Sequence, residues 1–347
     1  MYAPIRNSLR VRARTFARVY AGLTLVEPRT HEHHAALEAE LRVIDHVAPP
    51  CAFVWLGVGY RRIRWTPAKL RHSPIPLDSD ALPPTAVARI QRRCKLVYYE
   101  TEPAPKPNLV SLPFFDAVWS YSTFHHQFAA PCDDRGCDRP NSSAVTPPWS
   151  YVPPLFVQAQ FVASHEESAP ILLSGMSRHE WESRNICPQS HGSENRQITK
   201  LPANVRVLGA RNASDPQGLW TPHAFRKALA NASLIVNLHK DACTPLAAQP
   251  LETFRLSQVL SVGLIVVSQR CVPTDERIFA GLVDFYDDAD ALWMALARYG
   301  RMSPSERRVV GMHRRRLFAE LSEQIALPEW IGSPRAMIRF AENVPTH

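Results

Sequence analysis

The sequence predicts a two-domain α/β protein built on doubly wound parallel sheets. The chain has 347 residues, which is more than one hydrophobic core usually organises, so two domains are expected. In the second half, apolar runs of strand length alternate with amphipathic helical segments over residues 170–300. Strands that are apolar on both faces and are joined by helices are typical of a parallel sheet covered on both sides.

The first half is predicted to have the same architecture, with proline-rich connections between its elements. An amphipathic helix is expected over residues 30–47, where apolar residues recur at helical spacing. The polar, proline-rich residues 131–150 are expected to form an exposed insertion, and residues 151–155 end this half. Strands are expected at residues 21–26, 51–58, 95–100 and 117–121.

In the second half, glycine, proline and helix caps set the predicted boundaries. Helices are expected to begin at Pro222 and Pro250, and glycines at 263 and 300 are expected to end helices. Ser303 and Glu306 have the spacing of a capping box. The polar residues 187–203 indicate a second insertion. Strands are expected at residues 170–174, 205–208, 234–238 and 264–267, with one more ending at Tyr286.

The charge of the chain favours anionic partners. Its net charge is +8, which suits nucleic acid, an anionic membrane surface or phosphorylated small molecules. The arginines cluster in residues 6–18 and 307–316, and Phe16 is the one aromatic residue of Phe, Tyr or Trp type among them, so we interpret them as solvated faces rather than a nucleic-acid footprint. No apolar run reaches the ~20 residues of a membrane helix. Peripheral membrane contact stays compatible with the sequence.

The seven cysteines form neither a CxxC pair nor a regular framework. This pattern favours mostly reduced thiols and a cytoplasmic location, although three N-x-S/T triplets leave the secretory lumen open. Cys132 and Cys137, near His125 and His126, are separated by a wider gap than zinc knuckles use. No metal site is predicted.

Polar residues follow the first predicted strand of the second half. Gly175 would let backbone approach a ligand, and Arg178 or Arg184 could neutralise a diphosphate. A turn with surface arginines is the alternative. Because ligands of parallel sheets bind at the carboxyl ends of the strands, this segment is a candidate site.

A second polar group follows the strand at residues 234–238. Asn237, His239 and Lys240 lie at its end, and Glu252 is expected in the first turn of the next helix. Glu252 could accept the hydroxyls of a ribose, or it could only stabilise the helix dipole. Arg255 lies three residues further on, on the same face, where an ion pair could orient Glu252.

Residues 233–268 (SLIVNLH…PLETFRLSQVLSVGLIVVS) resemble the donor-binding half of a group of GT-B glycosyltransferases. That group has a strand ending in Asn-(Ile/Leu)-His, then Leu-Glu-x-x-Arg, then Gly-x-x-Val-Val-Ser-Glu. Weaker matches in the first half are YYETE at residues 98–102 and FDAVWSYS at residues 115–122. The order and spacing agree over most of residues 95–290.

The resemblance implies two Rossmann-like domains that face each other across a cleft. The first would span residues 1–155, the second residues 165–325, and a helix in residues 326–347 would return to the first. A nucleotide sugar would be the co-substrate, with neither metal nor another cofactor, and a glycan, protein or lipid would be the acceptor. His239 would lie near the transferred group, and Glu100 or Glu102 could be the general base. The donor would meet Gly175, Arg178, Arg184, Asn237, His239, Lys240, Glu252, Arg255 and Ser268.

Three positions depart from the group's pattern. Gln269 replaces a glutamate near the donor, Tyr99 replaces an asparagine, and Ser120 replaces an aspartate. Because of these differences, the alternative to an active transferase is a non-catalytic relative that binds nucleotide or sugar, or acts as a scaffold. Nucleic-acid binding is the third hypothesis. A nicotinamide enzyme is disfavoured because no Gly-x-Gly-x-x-Gly follows a predicted strand.

Overall fold

The computed structural model contains two compact units, and the change from one to the other falls between Pro153 and Pro154. Each unit contains one five-stranded parallel sheet. The predicted return of residues 326–347 lies outside the described part. No described helix is both long and apolar enough to cross a membrane. The structure describes residues 24–26, 52–57, 84–100, 116–122, 149–151, 161–174, 177–184, 200–208, 222–239 and 245–324.

The first sheet has its strands in chain order. Helix α1 (Pro84–Gln91) precedes the third strand, and Leu96, Val118 and Trp119 are buried. Because the described strands show no reversal of order, the predicted doubly wound arrangement is not found in them. The predicted helix over residues 30–47 lies outside the described residues. The strands are β1 (Thr24–Val26), β2 (Ala52–Gly57), β3 (Lys95–Glu100), β4 (Ala117–Ser120) and β5 (Trp149–Tyr151).

The second sheet has the strand order β10-β9-β8-β6-β7, and every neighbouring pair is parallel. Counted within the unit, this is the order of a doubly wound sheet, which reverses between β6 and β8. The α/β prediction is therefore confirmed, and the doubly wound form is found in this sheet. Its strands are β6 (Ile171–Leu173), β7 (Arg206–Leu208), β8 (Leu234–Asn237), β9 (Ile265–Gln269) and β10 (Val283–Tyr286).

The helices of this unit follow the predicted alternation with differences at their ends. The Ser303 capping box is present, with Glu306 accepting from the Ser303 backbone N–H at 2.8 Å. Gly300 does not end its helix, because the buried Leu296 and Tyr299 outweigh the cost of about 1 kcal/mol for a helical glycine. The helices are α2 (Arg178–Arg184), α3 (Pro222–Ala230), α4 (Thr253–Ser261), α5 (Pro273–Ile278), α6 (Ala289–Arg301) and α7 (Pro304–Gln324).

Two further predictions are corrected by the structure. Trp149 and Ser150, predicted to end the exposed insertion, belong to β5 instead, because aromatic residues such as Trp149 and Tyr151 favour strands. Cys94 is disulfide-bonded, and its partner lies outside the described residues. The expectation of mostly reduced cysteines is therefore wrong for Cys94, whereas the buried Cys271 is a free thiol.

Gly263 closes helix α4 with a backbone conformation that favours glycine. Its φ is +83°, its N–H donates to the carbonyl of Leu260, and the N–H of Leu264 donates to Val259. These two bonds define a Schellman motif. The backbone of Gly263 also lies directly against Gly311 of α7, where an added Cβ would be 1.9 Å from the Gly263 oxygen. The two glycines therefore allow α7 to approach the α4–β9 connection closely.

Helix α7 is fixed by two buried arginines. The guanidinium of Arg307 donates to the carbonyl of His165 at 2.7 Å. The guanidinium of Arg314 donates to both carboxylate oxygens of Asp284 at 2.9 Å, and Tyr299 donates to the same carboxylate at 2.6 Å. Because charged hydrogen bonds are stronger than neutral ones, these contacts hold α7 to β10, to α6 and to the segment before β6.

The side chain of His165 is buried in contact with Gly311. Its φ is 63°, and its ring nitrogens have no hydrogen-bond partner within the described part of the chain. Burial, followed by the positive charge of Arg307, lowers the pKa of His165 to about 4. The positive charge of Arg308 acts in the same direction. His165 is therefore neutral in the folded protein at neutral pH.

We expect Gly311→Ala to lower the free energy of unfolding by about 2 kcal/mol or more, because backbone at Gly263 cannot move aside like a side chain. Gly300→Ala is the matched control, since its Cβ would meet only the Ser168 oxygen at an ordinary 3.7 Å. The control substitution should leave the free energy of unfolding unchanged or raise it. Denaturant unfolding of both variants measures the difference. Equal stabilities would contradict the close contact between α7 and Gly263.

We expect His165 to make the protein less stable in acid. The unfolded state protonates His165 below pH ~6.5, whereas the folded state does so only below a pKa of about 4. The contribution of neutral His165 to the free energy of unfolding is therefore fully present above pH ~6.5. It is lost as the pH falls towards 4, which lowers the free energy of unfolding by up to about 3 kcal/mol. His165→Asn keeps a residue that tolerates positive φ but does not titrate. Unfolding free energies across this pH range should depend less on pH in the variant, and identical slopes would contradict the assignment.

Candidate functional site

The candidate site lies at the carboxyl edge of the second sheet, next to the point where its strand order reverses. Asn237 ends β8, and Ser268 pairs with it in β9. The amide nitrogen of Asn237 donates to the hydroxyl of Ser268 at 2.9 Å. The buried amide oxygen of Asn237 has no hydrogen-bond partner among the residues that the structure describes. In doubly wound sheets, ligands bind in the crevice outside this edge.

His239 follows β8 and is nearly buried, with 5% of its surface exposed. Its backbone N–H donates to the side-chain oxygen of Gln269 at 2.9 Å, and Nε2 lies 2.8 Å from the carbonyl oxygen of Arg270. Because a carbonyl only accepts, Nε2 carries the proton. Nδ1 then presents a lone pair, and no described residue donates to it.

Burial lowers the pKa of His239, and the positive charge of Arg255 lowers it further. The carboxylate of Glu252, the carbonyl of Arg270 and the carboxylate of Glu276 act in the opposite direction but do not outweigh burial. His239 is therefore a neutral imidazole at neutral pH. A neutral ring can accept a hydrogen bond from a ligand hydroxyl without adding charge.

Glu252 is the residue immediately before α4, not a member of its first turn as predicted. Its side chain makes no capping hydrogen bond and is ion-paired with Arg255, and both side chains are only 12% exposed. The expected ion pair is thus present in the structure. The charges of Glu252 and Arg255 both act on the pKa of His239, so the ion pair lies within electrostatic reach of His239.

The segment that carries Glu252 is attached to the start of α5. The N–H of Leu251 donates to the buried carboxylate of Asp275 at 3.0 Å. The N–H of Val272 donates to the carbonyl of Gln249 at 2.9 Å. These two bonds run in opposite directions between the segments. Asp275 therefore fixes the backbone next to Glu252, a role that its sequence position did not indicate.

The described contacts of Arg178 are all with residues outside the group formed by Asn237, His239, Glu252 and Arg255. Its guanidinium donates to the carbonyl of Leu201 at 2.9 Å, to that of Pro202 at 3.2 Å and to that of Val205. It also lies 3.6 Å from the Glu182 carboxylate. These contacts favour the structural alternative for Arg178, because a diphosphate would have to compete with several carbonyls.

Of the remaining predicted site residues, the structure describes some only by their backbone and others not at all. Glu100 ends β3 and Arg184 ends α2, but the structure does not describe their side chains. Gly175, Lys240 and Glu102 lie outside the described residues. Sequence reasoning missed Gln269 as a partner of His239, although the Ser-Glu position of the group's pattern pointed to it. Among the described residues, no cluster of three or more His, Cys, Asp or Glu could hold a metal ion.

We expect His239 to be more than half neutral at pH 6.5, where a free histidine is half protonated, because burial lowers its pKa. The proton should be on Nε2, as the Arg270 carbonyl requires. Long-range ¹H–¹⁵N NMR spectra distinguish the two tautomers, and His239→Gln assigns the signal. A ring that is charged at this pH, or protonated on Nδ1, would contradict the hydrogen bonding described here.

Comparison with known proteins does not assign a family. No family model matches the chain, and no curated protein matches it. One solved structure to which it is similar is the N-terminal domain of Candida albicans trehalose-6-phosphate phosphatase, with a TM-score of 0.39 and 9% sequence identity. That similarity covers 91% of this chain and 77% of the other. The function is therefore inferred from the site itself.

Proposed function

We propose that this protein is a GT-B glycosyltransferase that binds a nucleotide-sugar donor at the carboxyl edge of the second sheet. One observation carries the proposal. The buried, neutral His239 follows Asn237, which is bonded to Ser268, and it lies within electrostatic reach of the Glu252–Arg255 ion pair, next to the reversal of strand order. In a parallel sheet this is the position where ligands bind.

Glu252 would accept hydrogen bonds from the ribose hydroxyls of the donor. A carboxylate is an acceptor with several lone pairs, so it suits a vicinal diol. Its ion pair with Arg255 supports this role, because it fixes the carboxylate in one direction while both side chains are largely shielded from water. Arg255 also supplies positive charge near the place where a diphosphate would leave.

His239 would accept a hydrogen bond from the transferred sugar through Nδ1. The Arg270 carbonyl fixes the tautomer that leaves this nitrogen as the acceptor. The leaving diphosphate would be stabilised by Arg255 and by Lys240. Arg178 is not included, since its guanidinium is held by carbonyls. The acceptor (a glycan, protein or lipid) would meet the first unit, where Glu100 or Glu102 would act as the base.

A non-catalytic relative that only binds a nucleotide or a sugar is the second candidate. Gln269 favours it, because a neutral amide stands where the related group has a carboxylate. The amide oxygen keeps the hydrogen bond to the backbone of His239. The fold of the site can therefore survive the replacement even if the chemistry does not. Under this alternative, Gln269→Glu would raise turnover from a very low level.

We expect one nucleotide sugar to raise the melting temperature of the wild-type protein, and Glu252→Gln to weaken its binding by about tenfold to hundredfold. The lost contacts are charged hydrogen bonds to ribose hydroxyls. A panel of nucleotides and nucleotide sugars identifies the donor by thermal shift, and released nucleotide measures turnover. Each variant is compared with its own ligand-free melting temperature, because loss of the Arg255 partner also affects stability.

Glu167→Gln is the matched control for this experiment. Glu167 forms an ion pair with Arg206, the first residue of β7, at the opposite edge of the same sheet. Its loss should leave donor binding unchanged. Binding without turnover supports the non-catalytic candidate. Binding that survives Glu252→Gln, or no binding of any nucleotide by the folded protein, would contradict the proposed donor site.

A further inference from the structure

The turn between α3 and β8 carries an exposed asparagine in a sequence pattern that the candidate donor site does not use. Asn231 directly follows the last residue of α3 and is exposed. It begins the triplet Asn231-Ala232-Ser233, one of the three N-x-S/T triplets of the chain. Such a triplet is the acceptor of N-linked glycans, which are bulky and have to lie at the surface of the folded protein. Asn231 meets this condition.

The backbone of this turn is fixed, whereas the side-chain amide nitrogen of Asn231 takes no part in the bonding. The carbonyl of Asn231 accepts from the N–H of Glu167 at 2.9 Å, and the carbonyl of Ala230 accepts from the N–H of Ser164 at 2.8 Å. The hydroxyl of Ser164 donates to the side-chain oxygen of Asn231 at 3.4 Å. No residue within the described ranges bonds to Nδ2 of Asn231, the atom that would carry a glycan. A sugar on Nδ2 would therefore disrupt none of the described hydrogen bonds.

The turn lies at the edge of the second sheet opposite to the candidate donor site. Asn231 precedes β8 and so lies at the amino ends of the parallel strands. Asn237, His239 and Ser268 lie at or beyond the carboxyl ends of their strands. A glycan on Asn231 would thus leave the carboxyl edge open, and this inference does not depend on transferase activity.

The disulfide of Cys94 indicates the kind of compartment in which the chain folds. Cys94 lies immediately before β3 and is disulfide-bonded. Disulfides form and persist in oxidising compartments and are rare in the cytosol. Cys271 is a buried free thiol, and burial raises its pKa far above the ordinary value. Because the thiolate is the reactive form of cysteine, Cys271 can stay unpaired in the same oxidising compartment.

We propose that Asn231 carries an N-linked glycan that is added in the oxidising lumen of a secretory pathway. The glycan donor would be a lipid-linked oligosaccharide diphosphate, and a separate enzyme would catalyse the transfer. Nδ2 of Asn231 would form a bond to the anomeric carbon of the oligosaccharide. The bond between that carbon and the diphosphate oxygen would break, the polyprenyl diphosphate would leave, and one amide proton would pass to a base of the transferring enzyme.

The buried hydroxyl of Ser233 determines when the glycan would be added. Ser233 is fully buried, and its hydroxyl donates to the carbonyl of Glu167 at 2.5 Å. The transferring enzyme recognises the hydroxyl at the third position of the triplet, and the folded turn does not expose it. The glycan would therefore be added before this unit folds, and the exposed Asn231 would keep it afterwards.

Peptide mass spectrometry of the protein purified from the cells that make it tests the proposal. Peptide N-glycosidase in heavy-oxygen water converts a glycosylated asparagine to an aspartate that contains heavy oxygen, and a sample without the enzyme corrects for spontaneous deamidation. We expect this label at Asn231, and an unlabelled Asn231 peptide of unmodified mass would overturn the proposal. Alkylation without prior reduction should leave Cys94 unmodified. A free Cys94 thiol would overturn the assignment to an oxidising lumen.

Two variants produced in the same cells assign the glycan to its position. Asn231→Gln removes the acceptor and should lack the mass of one glycan. Asn204→Gln is the matched control, because Asn204 is also exposed but has Arg206 at the third position of its triplet, and it should keep that mass. The two variants have the same amino-acid composition, so any difference between their intact masses is the glycan. Melting temperatures after deglycosylation check that both are folded, and equal intact masses would overturn the assignment to Asn231.

Discussion

The register of β8 against β9 is the constraint on which the candidate site depends. Leu234 to Val236 are buried and pair with Ile265 to Val267, so any shift along the strands would misalign two apolar runs. The same register places Asn237 opposite Ser268 and brings the chain after β8 alongside Gln269 and Arg270. A shift of one residue would turn Asn237 away from Ser268. The polar edge is thus positioned by the apolar residues that precede it.

Helix α7 depends on a second kind of contact, in which buried guanidinium groups bind backbone carbonyls and one carboxylate. Arg307 and Arg314 look like surface residues in an arginine-rich segment, yet they are 2% and 6% exposed. Burying them is tolerable because their donors are hydrogen-bonded. The same arginine cluster therefore contains two kinds of position. Arginines on the inner face hold the helix in place, whereas Arg308 and Arg316 on the outer face are exposed.

The sequence predicted the second sheet well because β6, β8 and β9 each contain three consecutive apolar residues, and because glycines, prolines and caps mark the connections between the elements. Contacts between distant segments were not predictable in this way. Asp275 reads as an ordinary acidic residue near a helix start, and its partner Leu251 is 24 residues away. The carbonyls that hold Arg178 belong to residues 201–205, part of which was interpreted as an insertion. The predicted helix ends were wrong at Gly300, where buried side chains outweigh the cost of a helical glycine, and at Pro250, since α4 begins at Thr253.

The segment that carries Glu252 has a consequence for the thermodynamics of recognition. It is tied to the start of α5 by two backbone hydrogen bonds, one of them to the buried carboxylate of Asp275. A ligand that meets Glu252 would therefore find a preorganised carboxylate and would not lose affinity by ordering this part of the chain. Affinity differences between ligands at this edge would then reflect how well their donor groups fit a fixed geometry, and would be expressed mainly in dissociation rates.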